Sequence, residues 1–131
     1  MKKLIALLIS VSMLVCMSAC GKTLPEGMSQ ELYDTSVKAL EIMDKYNDMD
    51  IDVDDAYDRI QVIYDKIENM NISDEPNEDE IWTESDRALF IKSDISLYKH
   101  ALFCIKCGEK NNTSSDIYTI ADELRKELEL D

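Results

Sequence analysis

Apolar residues return every third or fourth position in four separate stretches of this chain, the period of helices with one buried face. In the first, Leu32, Tyr33, Val37, Leu40, Met43 and Tyr46 recur after Ser29, whose hydroxyl suits an N-cap, and the pattern fades near Asn47. Met28, just before that cap, is placed to staple onto Tyr33. In the second, Val53, Ala56, Tyr57, Ile60, Ile63, Tyr64 and Ile67 form a stripe that runs to about Met70, with Asp52 as the N-cap. The third is the longest. Thr83 and Asp86 make a capping box, and Trp82 precedes it as a staple. Ile91, Ile95, Tyr98, Leu102 and Ile105 mark the centre of its apolar face, and Leu89, Phe90, Leu97, Ala101 and Cys104 widen it. So broad a face predicts contact with more than one other helix. The stretch reaches about Cys107, and Gly108 is placed to end it in the left-handed conformation. In the fourth, Ile117, Ile120, Ala121, Leu124 and Leu128 follow Thr113-Ser114-Ser115-Asp116, again the pattern of a capping box.

The segments between these stretches are short and polar. Asn47 to Asp55 (NDMDIDVDD) has the alternating acids of a calcium loop. An EF-hand loop starting at Asp48 requires Gly at its sixth position and Glu at its twelfth, where Val53 and Arg59 stand. The segment therefore reads as a turn into a capped helix, and its shortness implies an antiparallel hairpin of the first two helices. The third helix is expected to pack across that hairpin. Asn71 to Glu80 (NISDEPNEDE) is acidic, holds Pro76 and lacks periodicity, as a linker or an acidic arm would. The fold expected is all-α, a small antiparallel bundle of about four helices. Only 3 Gly and 2 Pro occur in the 131 residues, which disfavours a turn-rich β architecture.

A different pattern precedes the helices. Lys2 and Lys3 are followed by an apolar run from Leu4 to Val15, then by Met17-Ser18-Ala19-Cys20. The run is shorter than the roughly 20 residues that a spanning helix needs, and small residues close it. This is the layout of a secretory signal peptide. Its last four residues resemble the lipobox of bacterial lipoproteins, with Ala19 and Ser18 small as in that family and Met17 where Leu is usual. Cys16 follows the bulkier Val15 and fits such a cleavage site poorly. The resemblance implies removal of residues 1–19 and a diacylglyceryl thioether on Cys20. Two acyl chains give stable anchoring, whereas one binds only marginally. The expected organisation is a signal peptide over 1–19, the lipidated Cys20 and a tether over 20–28, and an acidic helical domain over 29–131. The expected location is the extracytoplasmic face of the cell membrane, reached through the lipid.

Charge narrows the partners. The chain has 14 basic and 28 acidic residues, a net of −14. Loss of Lys2 and Lys3 with the leader leaves 12 basic residues and a net of −16. Such a surface repels phosphate backbones and anionic headgroups, which argues against nucleic acid and favours a basic envelope protein as partner.

Candidate chemistry is sparse. His100, Cys104 and Cys107 are spaced i, i+4 and i+7 along the third helix and offer three ligands to a zinc ion, with a fourth to come from elsewhere. Cys104-Ile105-Lys106-Cys107 is also a C-x-x-C, but it sits at a helix C-terminus, where the dipole disfavours a reactive thiolate, and no βαβ pattern surrounds it. Outside the cytoplasm the pair is placed to form a local disulfide, which closes too small a loop to constrain much of the unfolded chain. No phosphate loop and no H-E-x-x-H occurs, and nothing sets two carboxylates apart as an acid and a base. The expectation is a non-enzymatic accessory or protein-binding lipoprotein with no cofactor beyond its lipid. It resembles small helical bacterial lipoproteins. Two alternatives are a lipoprotein of the superinfection-exclusion type and a metal or thiol protein built on His100, Cys104 and Cys107.

Overall fold

The structure, a computed structural model, describes residues 23–75, 81–108 and 113–130, and their side chains except at 113–115. The leader and Cys20 lie outside the described residues. Among those described, four helices form and no strand: α1 (Gln30–Asn47), α2 (Val53–Glu68), α3 (Glu84–Lys106) and α4 (Thr113–Glu127). They make an antiparallel four-helix bundle in which each helix lies beside its neighbours in sequence and α4 closes back onto α1.

The helix limits follow from local chemistry. Ser29 Oγ accepts from the Leu32 amide at 3.2 Å, and Asp52 Oδ1 accepts from the Asp55 amide at 2.9 Å. Thr83 and Asp86 form the reciprocal box. The Asp86 amide donates to Thr83 Oγ1 and the Thr83 amide donates to Asp86 Oδ2. These bonds hold the Asp86 carboxyl below its ordinary range. Gly108 follows the Cys107 cap with φ +78°, the left-handed conformation that glycine adopts without strain. Two other helix ends make the same turn without glycine. After α1, the Met49 and Asp50 amides donate to the carbonyls of Tyr46 and Lys45, with Met49 at φ 64°. After α4, Glu129 and Leu130 repeat the pattern on Lys126 and Arg125, with Glu129 at φ 52°.

The core is one cluster drawn from all four helices. Leu32, Ala39, Leu40 and Met43 meet Ala56, Ile60, Ile63 and Ile67, with Ile91, Ile95, Tyr98 and Leu102 opposite Ile117, Ile120, Ala121 and Leu124. Tyr98 is fully buried, and its hydroxyl donates towards the Met43 carbonyl and Asn47 Oδ1, each at 3.2 Å. Burial pushes its pKa up, so it stays a neutral donor. Two polar residues share the core: Ser36 donates to the Leu32 carbonyl, and Thr35 accepts from Lys66 Nζ.

Four seams close the bundle, and each is charged. Between α1 and α2, Lys66 pairs with Glu31 at 3.5 Å. Along α2 and α3, Lys92, Lys99 and Lys106 stand seven residues apart. Lys92 and Lys99 lie over the Tyr64 ring and Lys106 over Tyr57, while Glu68 and Asp54 pair with the first and last of them. Between α1 and α4, Arg125 pairs with Asp44 at 2.7 Å. Between α3 and α4, Arg87 pairs with Glu127 at 2.9 Å. Arg87 also donates to the Glu26 carbonyl and lies against Trp82.

Two expectations change. The third helix does not cross the hairpin. It runs between α2 and α4 and touches α1 only diagonally, because a square of four helices lets every apolar stripe face one centre. Part of the segment grouped with the tether is docked. Pro25, Gly27 and Met28 are buried, and a Cβ on Gly27 would collide with the Trp82 carbonyl oxygen. No described helix is long and apolar enough to cross a membrane.

Met49 is almost wholly exposed and held in a conformation that disfavours L side chains. Met49→Gly is expected to stabilise the fold by about 0.5–1 kcal/mol, read as a rise of a few degrees in the thermal midpoint. A fall would contradict the account of this turn.

Candidate functional site

α3 carries more apolar surface than its neighbours cover. At about 100° per residue, Ile91, Ile95, Tyr98 and Leu102 fall on the inward stripe, and all are buried. Leu89, Phe90, Leu97 and Phe103 fall on the flanks and the far side. Leu89 is 66% exposed, Leu97 52% and Phe90 44%. Three of the residues expected to widen the buried face therefore point to solvent: two neighbours in a square bundle cover only the inner half of a helix. Trp82 extends the ridge, with its ring edge-on to Phe90 at 5.6 Å.

The ridge has a groove on each side. Towards α2, Tyr64, Leu89, Lys92, Ser96 and Leu97 line a shallow hollow of about 310 Å³. Its lysine is drawn back by Glu68 at 2.8 Å, a bond that raises the Lys92 pKa. Towards α4, Phe90, Ser93, Asp94, Glu123, Lys126 and Glu127 line a notch of about 330 Å³. Asp94 is half-buried there. Burial, then the charges of Glu123 and Glu127, push its carboxyl up to about 6.

A third hollow lies at the end of the bundle, where Tyr46, Asn47, Met49, Asp50, Ile51, Asp52 and Tyr118 surround about 410 Å³. Burial and the nearby Tyr118 raise the Tyr46 pKa. Asp52 already serves there as the cap of α2.

The residues singled out for thiol or metal chemistry lie on the last turns of α3. His100 and Cys107 are exposed and Cys104 is half-buried, and neither cysteine is in a disulfide. Cys104 Sγ stands 3.6 Å from His100 Nε2. Cys107 follows the last helical residue, seven positions from His100, an axial separation of about 10 Å. Among the described residues no group of three His, Cys, Asp or Glu is arranged to hold a metal ion. Cys20, the lipidation candidate, lies outside the described residues.

The chain matches no protein-family model, no curated protein and no solved structure.

Sequence reasoning missed the notch and read the ridge as core. A signal for both was present. Asp94 precedes the core residue Ile95, on the same side of the helix as Phe90 and Ala101. Apolar residues also ring nearly the whole circumference of α3, more than any bundle helix buries.

Asp94 sets a pH dependence. Its carboxyl titrates near 6 when folded and at about 3.9 when unfolded. The folded state thus holds the proton more tightly, and this contribution to stability falls as pH rises from about 4 to about 6. Asp94→Asn is expected to stabilise the fold at pH 7.5 by about 1 kcal/mol, a figure reduced for solvent screening. The gain should shrink towards pH 5 and vanish near pH 4. Thermal melts of both proteins across that range check this, and a variant less stable than the parent at pH 7.5 would contradict it.

Proposed function

We propose that this chain is a lipid-anchored module of the extracytoplasmic membrane face, non-enzymatic, that binds a protein partner through its helical domain. The observation that carries the binding role is the uncovered ridge of Leu89, Phe90 and Leu97 on α3, extended by Trp82 just before the helix. Trp82 meets Phe90 edge-on, and Leu89 and Leu97 line one hollow, so this exposure is grouped rather than scattered. Support for the anchor comes from the leader and from Met17-Ser18-Ala19-Cys20. The net charge of −14 supports a basic partner over nucleic acid. The residues that follow Cys20 then serve as a short tether, and the docked Pro25–Met28 segment holds α3 close to the membrane-proximal end of the chain.

The test is made in the native host with Cys20→Ser beside the parent. The parent is expected in the membrane fraction, with the mass of residues 20–131 plus a diacylglyceryl group, and the variant without the lipid. Crosslinking in intact cells, followed by pull-down through a C-terminal tag, is expected to recover a basic envelope protein with the parent. A mature parent without lipid would overturn the anchor. Recovery of the protein alone would overturn the binding role.

A further inference from the structure

The reading above leaves the partner's chemistry open, and the two sides of the ridge narrow it. Leu89, Phe90 and Leu97 span nine positions of one helix, eight steps or about 12 Å along its axis. That is the spacing over which a second helix presents anchors at i, i+3 or i+4, and i+7. Beside the ridge, the notch gathers three carboxylates. Glu127 is answered by Arg87. Among the described residues, Asp94 and Glu123 are in no ion pair, and Lys126 lines the same notch without pairing with any of the three. On the opposite flank the lysines are turned away: Lys92 is held by Glu68, and Lys92 and Lys99 both lie over Tyr64. The ridge is therefore bordered by unanswered negative charge on the α4 side and by satisfied positive charge on the α2 side.

We propose that the outer face of α3 docks a cationic amphipathic helix of a partner protein. Its apolar stripe lies on Leu89, Phe90 and Leu97, and a lysine or arginine enters the notch of Asp94, Glu123 and Glu127. This deepens the binding role proposed above and rests on it. Charge decides between occupants. A second copy would bring the same carboxylates against these, within a pair of chains each at −16 once Lys2 and Lys3 leave with the leader. An anionic lipid surface would be repelled. A cationic helix gains on both counts, because it buries the ridge and supplies the charge that the notch lacks.

The probe is an 18-residue helical peptide of leucine and lysine with its leucines on one face, carrying a fluorophore and a benzophenone. It is titrated into the full chain purified from membranes in neutral detergent, with empty micelles subtracted. Photo-adducts are expected on α3 and α4 around Phe90 and Leu97. Phe90→Ser/Leu97→Ser is expected to weaken binding at least tenfold, and each single change to weaken it severalfold, while Val62→Ser, the loss of one exposed apolar side chain on α2, leaves it unaltered. Affinity is expected to fall severalfold from pH 7.5 to pH 5 as Asp94 protonates. The groups facing it are Glu123, Lys126 and Glu127 of α4, with Arg87 of its own helix on Glu127. Asp94→Asn, a variant that should fold at least as well, is expected to remove that dependence. Equal loss with Val62→Ser, or adducts spread over the acidic surface, would overturn the proposal. So would chain–chain adducts without peptide, or binding to phosphatidylglycerol vesicles that Phe90→Ser/Leu97→Ser abolishes. Failure of the peptide while a partner is still recovered from cells would reject the cationic helix and leave the binding role standing.

Discussion

The inward stripe of α3 is the constraint on which the rest of this bundle depends. Ile91, Ile95, Tyr98 and Leu102 are fully buried, and every other helix contributes its own stripe to the same centre. A domain of this size has room for a single core, so each helix is limited to one buried face. The buried tyrosine adds a directional requirement that aliphatic packing lacks. Its hydroxyl must reach the end of α1, at Met43 and Asn47, or remain unsatisfied in the interior. That bond fixes the height of α3 against α1, its diagonal neighbour. Lys92, Lys99 and Lys106 then fix its register against α2 through two tyrosine rings and two carboxylates. Arg87 fixes its start against α4 and against the docked segment before α1.

This arrangement separates the two sides of one helix. The inner side is satisfied by packing and by one buried hydroxyl. The outer side keeps aromatic and aliphatic groups in water beside crowded carboxylates. Exposed apolar surface and unrelieved like charge both oppose stability, and both are relieved by the same kind of occupant. In the proposed reading, an acidic domain that carries one apolar ridge is suited to meet a basic partner rather than itself. The proposed lipid on Cys20 would hold that ridge near the membrane without embedding it.

Much of the fold was legible because short-range chemistry wrote it. Ser29, Asp52 and Thr83 with Asp86 cap the helices that they were expected to cap, and Gly108 ends α3. The stripes of α2 and α4 were read nearly residue by residue. Long-range geometry was less legible. Thr35, Ser36 and Ala39 are buried, and small residues carry little periodic signal. Leu89, Phe90 and Leu97 look like core in the sequence, since hydrophobicity alone does not tell a buried face from a docking face. Asp94 became distinctive only once α4 brought Glu123 and Glu127 beside it. His100, Cys104 and Cys107 were conspicuous by residue type; Cys104 lies beside His100, but among the described residues the three are not arranged to hold a metal ion.

The central claim is that the outer face of α3 meets another protein in the cell. The most direct measurement places a photoreactive amino acid at position 97 of the full-length chain, and separately at position 62, and illuminates intact cells. The account predicts a discrete adduct of higher mass from position 97, containing a second protein with basic helical sequence, and none from position 62. The same adducts from both positions, or none from position 97 in membranes that contain the protein, would contradict it.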